Sequence, residues 1–114
     1  MEISKIADKL GLKVAAGKSN LTREVRAGYA SDLLSDVMAN AKANSLWVTI
    51  QTHANIIAVC TLNDLAGVVI AGGKKPAPDT LAKADEEGVP VLTTDASTFD
   101  VVGQLYKLGI TGDG

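Results

Sequence analysis

The sequence predicts a single α/β domain of three layers, α/β/α, with a mostly parallel sheet at its centre. The first observation is a pair of apolar runs, residues 46–50 and 68–70, which lack alternation and therefore suit strands covered on both faces. The second is the helical spacing of Ile56, Ile57 and Cys60 between those runs. Strand, helix and strand within one short segment form a βαβ unit, whose two strands are parallel.

Two further strand and helix steps follow, and they are the third observation. Pro78–Glu87 reads as a helix, because proline suits a first turn and Gly88 can end it. Residues 89–92 form a third apolar run. Asp95 or Ser97 can cap a last helix, ended by Gly109. Its apolar face carries Val101, Val102, Leu105 and Leu108.

The residues before position 46 predict smaller elements. A short amphipathic helix carries Ile3, Ile6, Ala7 and Leu10 on one face and ends at Gly11. Short strands are predicted at residues 12–16, 21–25 and 28–30, with a hairpin turn at residues 17–20. A second helix, capped by Ser31 or Asp32, is predicted to run to about Ala41. Its inward-facing residues would be Leu33, Leu34, Val37, Met38 and Ala41.

These elements fit one domain over residues 1–110, followed by a frayed tail at residues 111–114 that has no apolar anchor. The chain has 114 residues, of which 46% are hydrophobic and 4% are aromatic, so the core is expected to be aliphatic.

Charge and cysteine content exclude several classes of protein. The net charge of −2 argues against nonspecific nucleic-acid binding, which needs clustered lysine and arginine. No run of residues is long and apolar enough to span a membrane, and the first residues lack the apolar region of a signal peptide. One cysteine cannot form an internal disulfide. Together these features favour the cytoplasm.

One phosphate-binding motif can be dismissed. Gly17, Lys18 and Ser19 resemble the end of a P-loop, but five residues separate Gly11 from Gly17 where the motif has four. A strand rather than a helix is predicted to follow. We therefore expect no ATP-dependent phosphotransfer from this segment.

The candidate ligand site lies where the predicted parallel strands end. Ligands of open parallel sheets bind outside the carboxyl ends of the strands, near helix N-termini. The glycine pair there lets a ligand approach the backbone, Lys74 and Lys75 supply positive charge and threonines supply hydroxyls. The alternative is that these residues only cap helices and form turns. The candidates are Thr52, His53, Gly72, Gly73, Lys74, Thr94, Asp95 and Thr98.

Catalysis and metal binding find little support in the sequence. His53 is the single histidine and Cys60 the single cysteine, so no metal set is evident and no cofactor is implied. His53 is expected in a first helical turn, where the helix dipole favours a neutral imidazole. Cys60 lies on an apolar stripe and reads as a core residue. No nucleophile paired with a base can be recognised, so no catalytic residue is assigned.

The chain resembles the DRTGG domain family, named for an Asp-Arg and a Thr-Gly-Gly motif. Where the family has Asp-Arg this chain has Thr52 and His53, and where it has Thr-Gly-Gly this chain has Ala71, Gly72 and Gly73. The glycines and their place after a strand are kept, while the charged pair is not. The likeness covers nearly the whole chain, through Gly17 and residues 21–25, 29–40, 47–50, 71–73, 88–91 and 98–99.

This resemblance implies a fold similar to the amino-terminal domain of HPr kinase/phosphorylase and a role as a regulatory or dimerising part. It also implies partners, because single-domain relatives tend to occur near iron-hydrogenase genes. The favoured hypothesis is a non-enzymatic regulatory or scaffold module. It would form a homodimer, and it would bind a small anionic ligand, such as a nucleotide or phosphometabolite, or a partner metabolic or hydrogenase-type enzyme. The alternative is a small transferase or hydrolase acting at the strand-end cleft.

Overall fold

The computed structural model describes residues 1–113, and over that range it contains five strands and five α-helices in one α/β domain. The helices are α1 (Ile3–Leu10), α2 (Leu34–Asn40), α3 (Asn55–Leu62), α4 (Pro78–Glu87) and α5 (Thr98–Lys107). The strands are β1 (Lys13–Ala16), β2 (Ala27–Ala30), β3 (Ser45–Thr49), β4 (Gly67–Ile70) and β5 (Val91–Thr93).

The strands form one sheet in the order β1-β5-β4-β3-β2. The neighbours β2 and β3, β3 and β4, and β4 and β5 are parallel, while β1 runs antiparallel to β5. The parallel pairing of β3, β4 and β5 confirms the βαβ prediction. Consecutive parallel strands step across the sheet in one direction, so the helices that connect them share one face.

Two apolar clusters show that helices cover both faces of the sheet. Val37 of α2, Ile56 of α3 and Ala84 of α4 pack with Trp47 and Val68 on one face. On the other face, residues of α1 and α5 pack with the opposite sides of the same strands, namely Ile3, Ile6, Val101 and Leu105 with Leu46, Val48, Val69 and Leu92. The predicted three layers are therefore confirmed.

The hairpin predicted at residues 17–20 is wrong. Lys18–Asn20 form a single 3₁₀ turn, and β1 pairs with β5 instead of with the segment that follows it. The turn is held by the Gly17 amide, which donates to Asp85 Oδ1 of α4 at 2.8 Å. The Asn20 side chain donates to the Gly88 carbonyl at 2.7 Å and anchors the turn to the end of the same helix.

The strand predicted at residues 21–25 is also wrong, because its backbone groups serve the first helix. The amides of Ile3 and Ser4 donate to the carbonyls of Arg23 and Leu21, and only an isolated bridge joins Glu2 to Glu24. Helix α1 has no side-chain cap. The carbonyls of residues 21 and 23 therefore satisfy amides that its sequence leaves unpaired.

Helix α2 is shorter and more exposed than the sequence predicted. Its N-cap residue is Leu33, while the Asp32 carboxylate accepts hydrogen bonds from Thr49 Oγ1 and the Ile50 amide. Leu33 and Met38 are 64% and 44% exposed, because α2 lies at the outer end of its helix layer. The prediction that these two residues face inward is wrong.

The last residues of the chain approach the β2 edge of the sheet. The Gly28 amide of β2 donates to the Thr111 carbonyl at 2.9 Å, and the Asp113 amide donates to Thr111 Oγ1. Part of the predicted frayed tail, Gly114, lies outside the described residues.

Candidate functional site

The connections that leave β4 and β5 turn to opposite faces of the sheet. The segment after β4 leads to α4, which packs in the layer of α2 and α3, whereas the segment after β5 leads to α5 in the other layer. Adjacent parallel strands whose connections diverge in this way leave a crevice at their carboxyl ends, and such crevices are the usual ligand sites of open α/β sheets.

Hydrogen bonds tie the two connections together at this point. The amides of Gly72 and Gly73 donate to the carbonyls of Ala96 and Thr94 at 2.7 and 2.9 Å. Both glycines have positive φ, +71° and +69°, which lets the chain turn back across the end of β5. The two glycine amides are therefore engaged within the protein, and any ligand here has to be held by other groups.

Beside this junction, between β1, β5 and α4, lies a cleft of about 550 Å³. One wall comes from the antiparallel edge strand and the other from the connection between β4 and α4. The residues that line it are Gly11, Lys13, Ala15, Gly73, Lys74, Lys75, Pro76, Leu81, Thr93, Thr94 and Asp95.

The cleft is positively charged although the chain is acidic. Lys13, Lys74 and Lys75 border it, and none of the three forms a salt bridge with another described residue. The one acidic side chain at the border is Asp95, whose Oδ1 would lie 3.2 Å from a Cβ atom added at Gly73. An anionic group can therefore pair with the lysines, while a hydroxyl or amine of the same ligand can donate to Asp95.

The remaining walls are apolar or weakly polar. Ala15, Pro76 and Leu81 are half-buried and offer hydrocarbon surface, and Thr93 and Thr94 add hydroxyls. A ligand with an apolar or planar body and a multiply charged anionic group matches this combination of surfaces.

The structure brings together Gly73, Lys74, Thr94 and Asp95 of the candidate residues in the walls of the cleft, and Gly72 lies next to them. The other three candidates lie elsewhere. They are Thr52, His53 and Thr98.

Thr52 and His53 occupy the connection between β3 and α3. The Thr52 carbonyl accepts hydrogen bonds from the Ala77 amide and from Thr80 Oγ1, so Thr52 supports the start of α4. His53 is exposed and precedes the helix, whose N-cap residue is Ala54. Its expected position in the first helical turn is therefore wrong. Thr98 begins α5, in the opposite helix layer.

Several cleft residues were missed by the sequence reasoning, chief among them Lys13 and Ala15. They enter the site because β1 pairs with β5, with Lys13 opposite Thr93. No local pattern in the sequence identifies the partner of an edge strand. Lys75 belongs with Lys74 to the lysine pair expected to supply positive charge, whereas Pro76 and Leu81, three and eight residues after Gly73, were not predicted.

Cys60 is not placed for chemistry. It is 1% exposed within the core of the α3 layer, and burial raises the pKa of its thiol to about 12.

We therefore expect Cys60 to be unreactive in the folded protein. At pH 8 almost all of the thiol is protonated, since its pKa lies far above that pH, and reagent access is closed by packing. Labelling with a chromogenic disulfide reagent should be negligible in buffer and should reach one thiol per chain in 6 M guanidinium chloride, roughly the strength that unfolds even very stable domains. Rapid labelling of the native protein would contradict this placement.

Among residues 1–113, no group of three or more histidine, cysteine, aspartate and glutamate side chains is arranged to hold a metal ion. None of the helices in that range has the length and apolar character needed to cross a membrane.

Comparison with known proteins gives a family and a fold. The sequence model of the DRTGG domain family matches residues 5–108. A search of curated proteins finds no significant match.

A solved structure shares the fold. It is the crystal structure of the CBS and DRTGG domains of the regulatory region of Clostridium perfringens pyrophosphatase, complexed with the activator diadenosine tetraphosphate. The superposition has a TM-score of 0.74 at 13% sequence identity. It covers 99% of this chain and 51% of the other, so the chain spans about half the length of that structure.

Proposed function

The chain belongs to the DRTGG domain family, and from that membership we propose that it is a non-enzymatic regulatory module that binds a small polyanionic ligand in the cleft between β1, β5 and α4. The fraction of the module with bound ligand would depend on the concentration of a nucleotide or phosphorylated metabolite. The ligand-bound module would then regulate a partner protein. The domain that does this comprises residues 1–110.

The observation that carries the proposal is the group of three lysines at one cleft of an acidic chain. Lys13, Lys74 and Lys75 come from two separate segments and converge on a cavity large enough for a small ligand. Each hydrogen bond between an ammonium and a phosphate oxygen contributes about 1.5–3 kcal/mol. Two or three such bonds sum to about 3–9 kcal/mol before the cost of association, and micromolar binding requires about 8 kcal/mol, so we expect binding in the high micromolar to millimolar range with added contact to Ala15 and Leu81.

The ligand class follows from the two kinds of surface. A nucleotide presents a planar base that suits the apolar wall, ribose hydroxyls that can donate to Asp95, and phosphates that suit the lysines. The structural relative was crystallised with an activator of this chemistry, diadenosine tetraphosphate. That compound is therefore included among the ligands to be tested on this chain.

Replacing Lys74 and Lys75 together with serine is expected to weaken polyanion binding by about a hundredfold, because two charge-assisted hydrogen bonds are lost. The measurement is isothermal titration calorimetry at fixed ionic strength with inorganic pyrophosphate, AMP, ATP and diadenosine tetraphosphate. Lys13→Ser should also weaken binding, by about tenfold, since Lys13 contributes from the opposite wall.

The matched control is Lys42→Ser. Lys42 is exposed and precedes β3, at the amino edge of the sheet, so Lys42→Ser changes the net charge by the same amount as Lys13→Ser but leaves the cleft intact. Binding by this variant should stay within about twofold of the unmodified protein. Equal losses in Lys42→Ser and Lys13→Ser, or no binding of any of the four ligands at millimolar concentration, would show that the cleft is not the site.

The proposal extends to assembly and location. The module would work as a homodimer in the cytoplasm and would bind a metabolic or redox enzyme, of which a hydrogenase-type enzyme is one kind. Two-fold dimers are the commonest oligomers, and small domains gain buried area by pairing. The chain has a single cysteine and so forms no disulfide between two of its own residues, as is usual for cytoplasmic proteins.

The alternative, a small transferase or hydrolase at the same cleft, has less support. The Thr94 hydroxyl accepts a hydrogen bond from the Ala96 amide at 3.2 Å and so has a structural role. Asp95 is an exposed carboxylate, and none of the lining residues pairs with it as a nucleophile that it could activate.

A further inference from the structure

The exposed face of α5 carries two large aromatic side chains. Phe99 is 86% exposed and Tyr106 is 64% exposed, while Val101 and Leu105 of the same helix are buried against the sheet. An α-helix turns by about 100° per residue, so Phe99 and Tyr106 lie on one side of a stripe whose centre is Gly103, opposite the buried face. This stripe faces away from the protein along most of the helix.

Gly103 has no role in the fold of one chain. A Cβ atom added there would meet no described atom within 4 Å, and its backbone is helical, so neither a close contact nor a turn requires glycine. Glycine is among the least favourable residues for a helix interior. What its missing side chain does provide is a flat spot at the middle of the exposed face, where a second helix can approach closely.

Two opposite charges lie on the other side of the same stripe. Asp100 is in the first turn of α5 and Lys107 in the last, and both are exposed. They are seven residues apart, like Phe99 and Tyr106, and each pair is centred within half a residue of Gly103. The rise of 1.5 Å per residue separates the members of each pair by about 10 Å along the helix.

From this arrangement we propose that two copies of the chain associate through α5, with the helices antiparallel and the two-fold axis passing between the two Gly103 residues. Phe99 then contacts the partner's Tyr106, and Asp100 pairs with the partner's Lys107. Each contact occurs twice, as a two-fold interface requires. The proposal rests on the self-association stated under the proposed function and identifies its surface.

The neighbourhood of Tyr106 provides room for the partner's aromatic ring. An apolar cavity of about 180 Å³ lies between α5 and β2, and Val102, Leu105 and Tyr106 line it together with Tyr29 and Ile110. It lies on the same side of the helix as Phe99. An aromatic side chain that enters it gains both apolar burial and an edge-to-face contact with Tyr106.

Charge complementarity favours a second copy over other occupants. In the antiparallel arrangement both ends of the face carry matched opposite charges, whereas in a parallel two-fold arrangement the charged side of one helix would meet the aromatic side of the other and Asp100 and Lys107 would lose their charged partners. Aromatic residues on one side, charges on the other and glycine in the middle therefore form a self-complementary surface.

The first test measures the dimer dissociation constant of the full chain by analytical ultracentrifugation. Gly103→Gln places a long side chain on the two-fold axis and should raise the dissociation constant by about tenfold or more. The matched control is Leu62→Ser, which removes an apolar side chain of 70% exposure at the end of α3, on the opposite helix layer. It should leave the dissociation constant within about twofold.

A folding defect is separated from a loss of association by thermal unfolding. Glutamine is a better helix former than glycine, and no described atom opposes its side chain, so the monomer of Gly103→Gln should melt at the same temperature or higher. A variant that is more stable as a monomer yet weaker as a dimer is the expected signature.

The second test exchanges the charges. Asp100→Lys and Lys107→Asp should each weaken self-association, because like charges then meet across the axis. A one-to-one mixture of the two variants should recover a dimer, since every contact between the two chains again joins a lysine to an aspartate. The double variant should also recover.

Three results would overturn the proposal. They are an unchanged dissociation constant in Gly103→Gln, no recovery in the mixture, or a protein that is monomeric at high micromolar concentration. The first two results would still allow the protein to self-associate through another surface. The last would contradict both the α5 interface and the proposed self-association. Calorimetric binding of polyanions by the monomeric variants tests the cleft independently of any dimer.

Discussion

Replacing Gly17 with alanine is expected to lower the free energy of unfolding by about 4 kcal/mol or more. The added Cβ would lie 2.0 Å from the Val89 carbonyl oxygen and 2.5 Å from Pro90 N, distances that no small shift can relieve. Gly17 also has φ of +72°, which costs a residue with a side chain about 1–2 kcal/mol. Since small domains are stable by only about 5–15 kcal/mol, such a loss removes a large fraction of the free energy of unfolding.

Gly11→Ala provides the control, because Gly11 has nearly the same conformation without the contact. Its φ is +67°, and an added Cβ would meet no described atom within 4 Å. Urea unfolding followed by far-ultraviolet circular dichroism should give a loss of about 1–2 kcal/mol for Gly11→Ala. If the two variants lost the same free energy, backbone conformation alone would account for both, and the close packing of the 3₁₀ turn against Val89 would be refuted.

The second large effect is expected for Trp47→Ala, with a loss of about 3–5 kcal/mol. Trp47 is fully buried between β3 and the helices of one layer, where it is the largest side chain of the core. Its indole Nε1–H also donates to the Ser31 carbonyl at 2.8 Å. The substitution removes the ring and leaves a cavity. It also leaves the Ser31 carbonyl, just after β2, without this hydrogen-bond donor.

Trp47→Phe separates the two contributions. It keeps an aromatic ring in the core but removes the hydrogen-bond donor, so the loss should be about 1–3 kcal/mol. Circular dichroism is the suitable signal, because Trp47 is the single tryptophan and its fluorescence disappears with it. A phenylalanine variant as unstable as the alanine variant would show that the bond to Ser31, rather than burial of the ring, holds this part of the core.

The sequence predicted the centre of the fold well because local chemistry decides it. Residues 46–50 and 68–70 are largely apolar runs without alternation, as expected of strands covered on both faces, and only Ile50 of these residues lies outside its strand and is exposed. Glycines end α1 and α4 as expected. The prediction failed at residues 21–25, where a strand-like composition is overridden by a demand elsewhere in the chain. Helix α1 lacks its own cap, and the carbonyls of Leu21 and Arg23 fill that role.

The candidate site was predicted in part, for a similar reason. Parallel strands place their carboxyl ends at one edge, so Gly73, Lys74, Thr94 and Asp95 could be grouped without a structure. Lys13 could not, since its position depends on a pairing between the two ends of the chain. The hydrogen bonds made by the glycine amides were equally inaccessible, because they depend on how closely two connections approach.

The pairing of β1 with β5 also determines when the cleft can form. During synthesis β1 leaves the ribosome early, but its neighbour β5 is made near the end, after the other strands of the sheet. Contacts between distant segments close late, since the loop between them must be ordered first. A ligand held between Lys13 and Lys74 would join β1 to the connection between β4 and α4, and it would slow amide hydrogen exchange in β1 more than in β3.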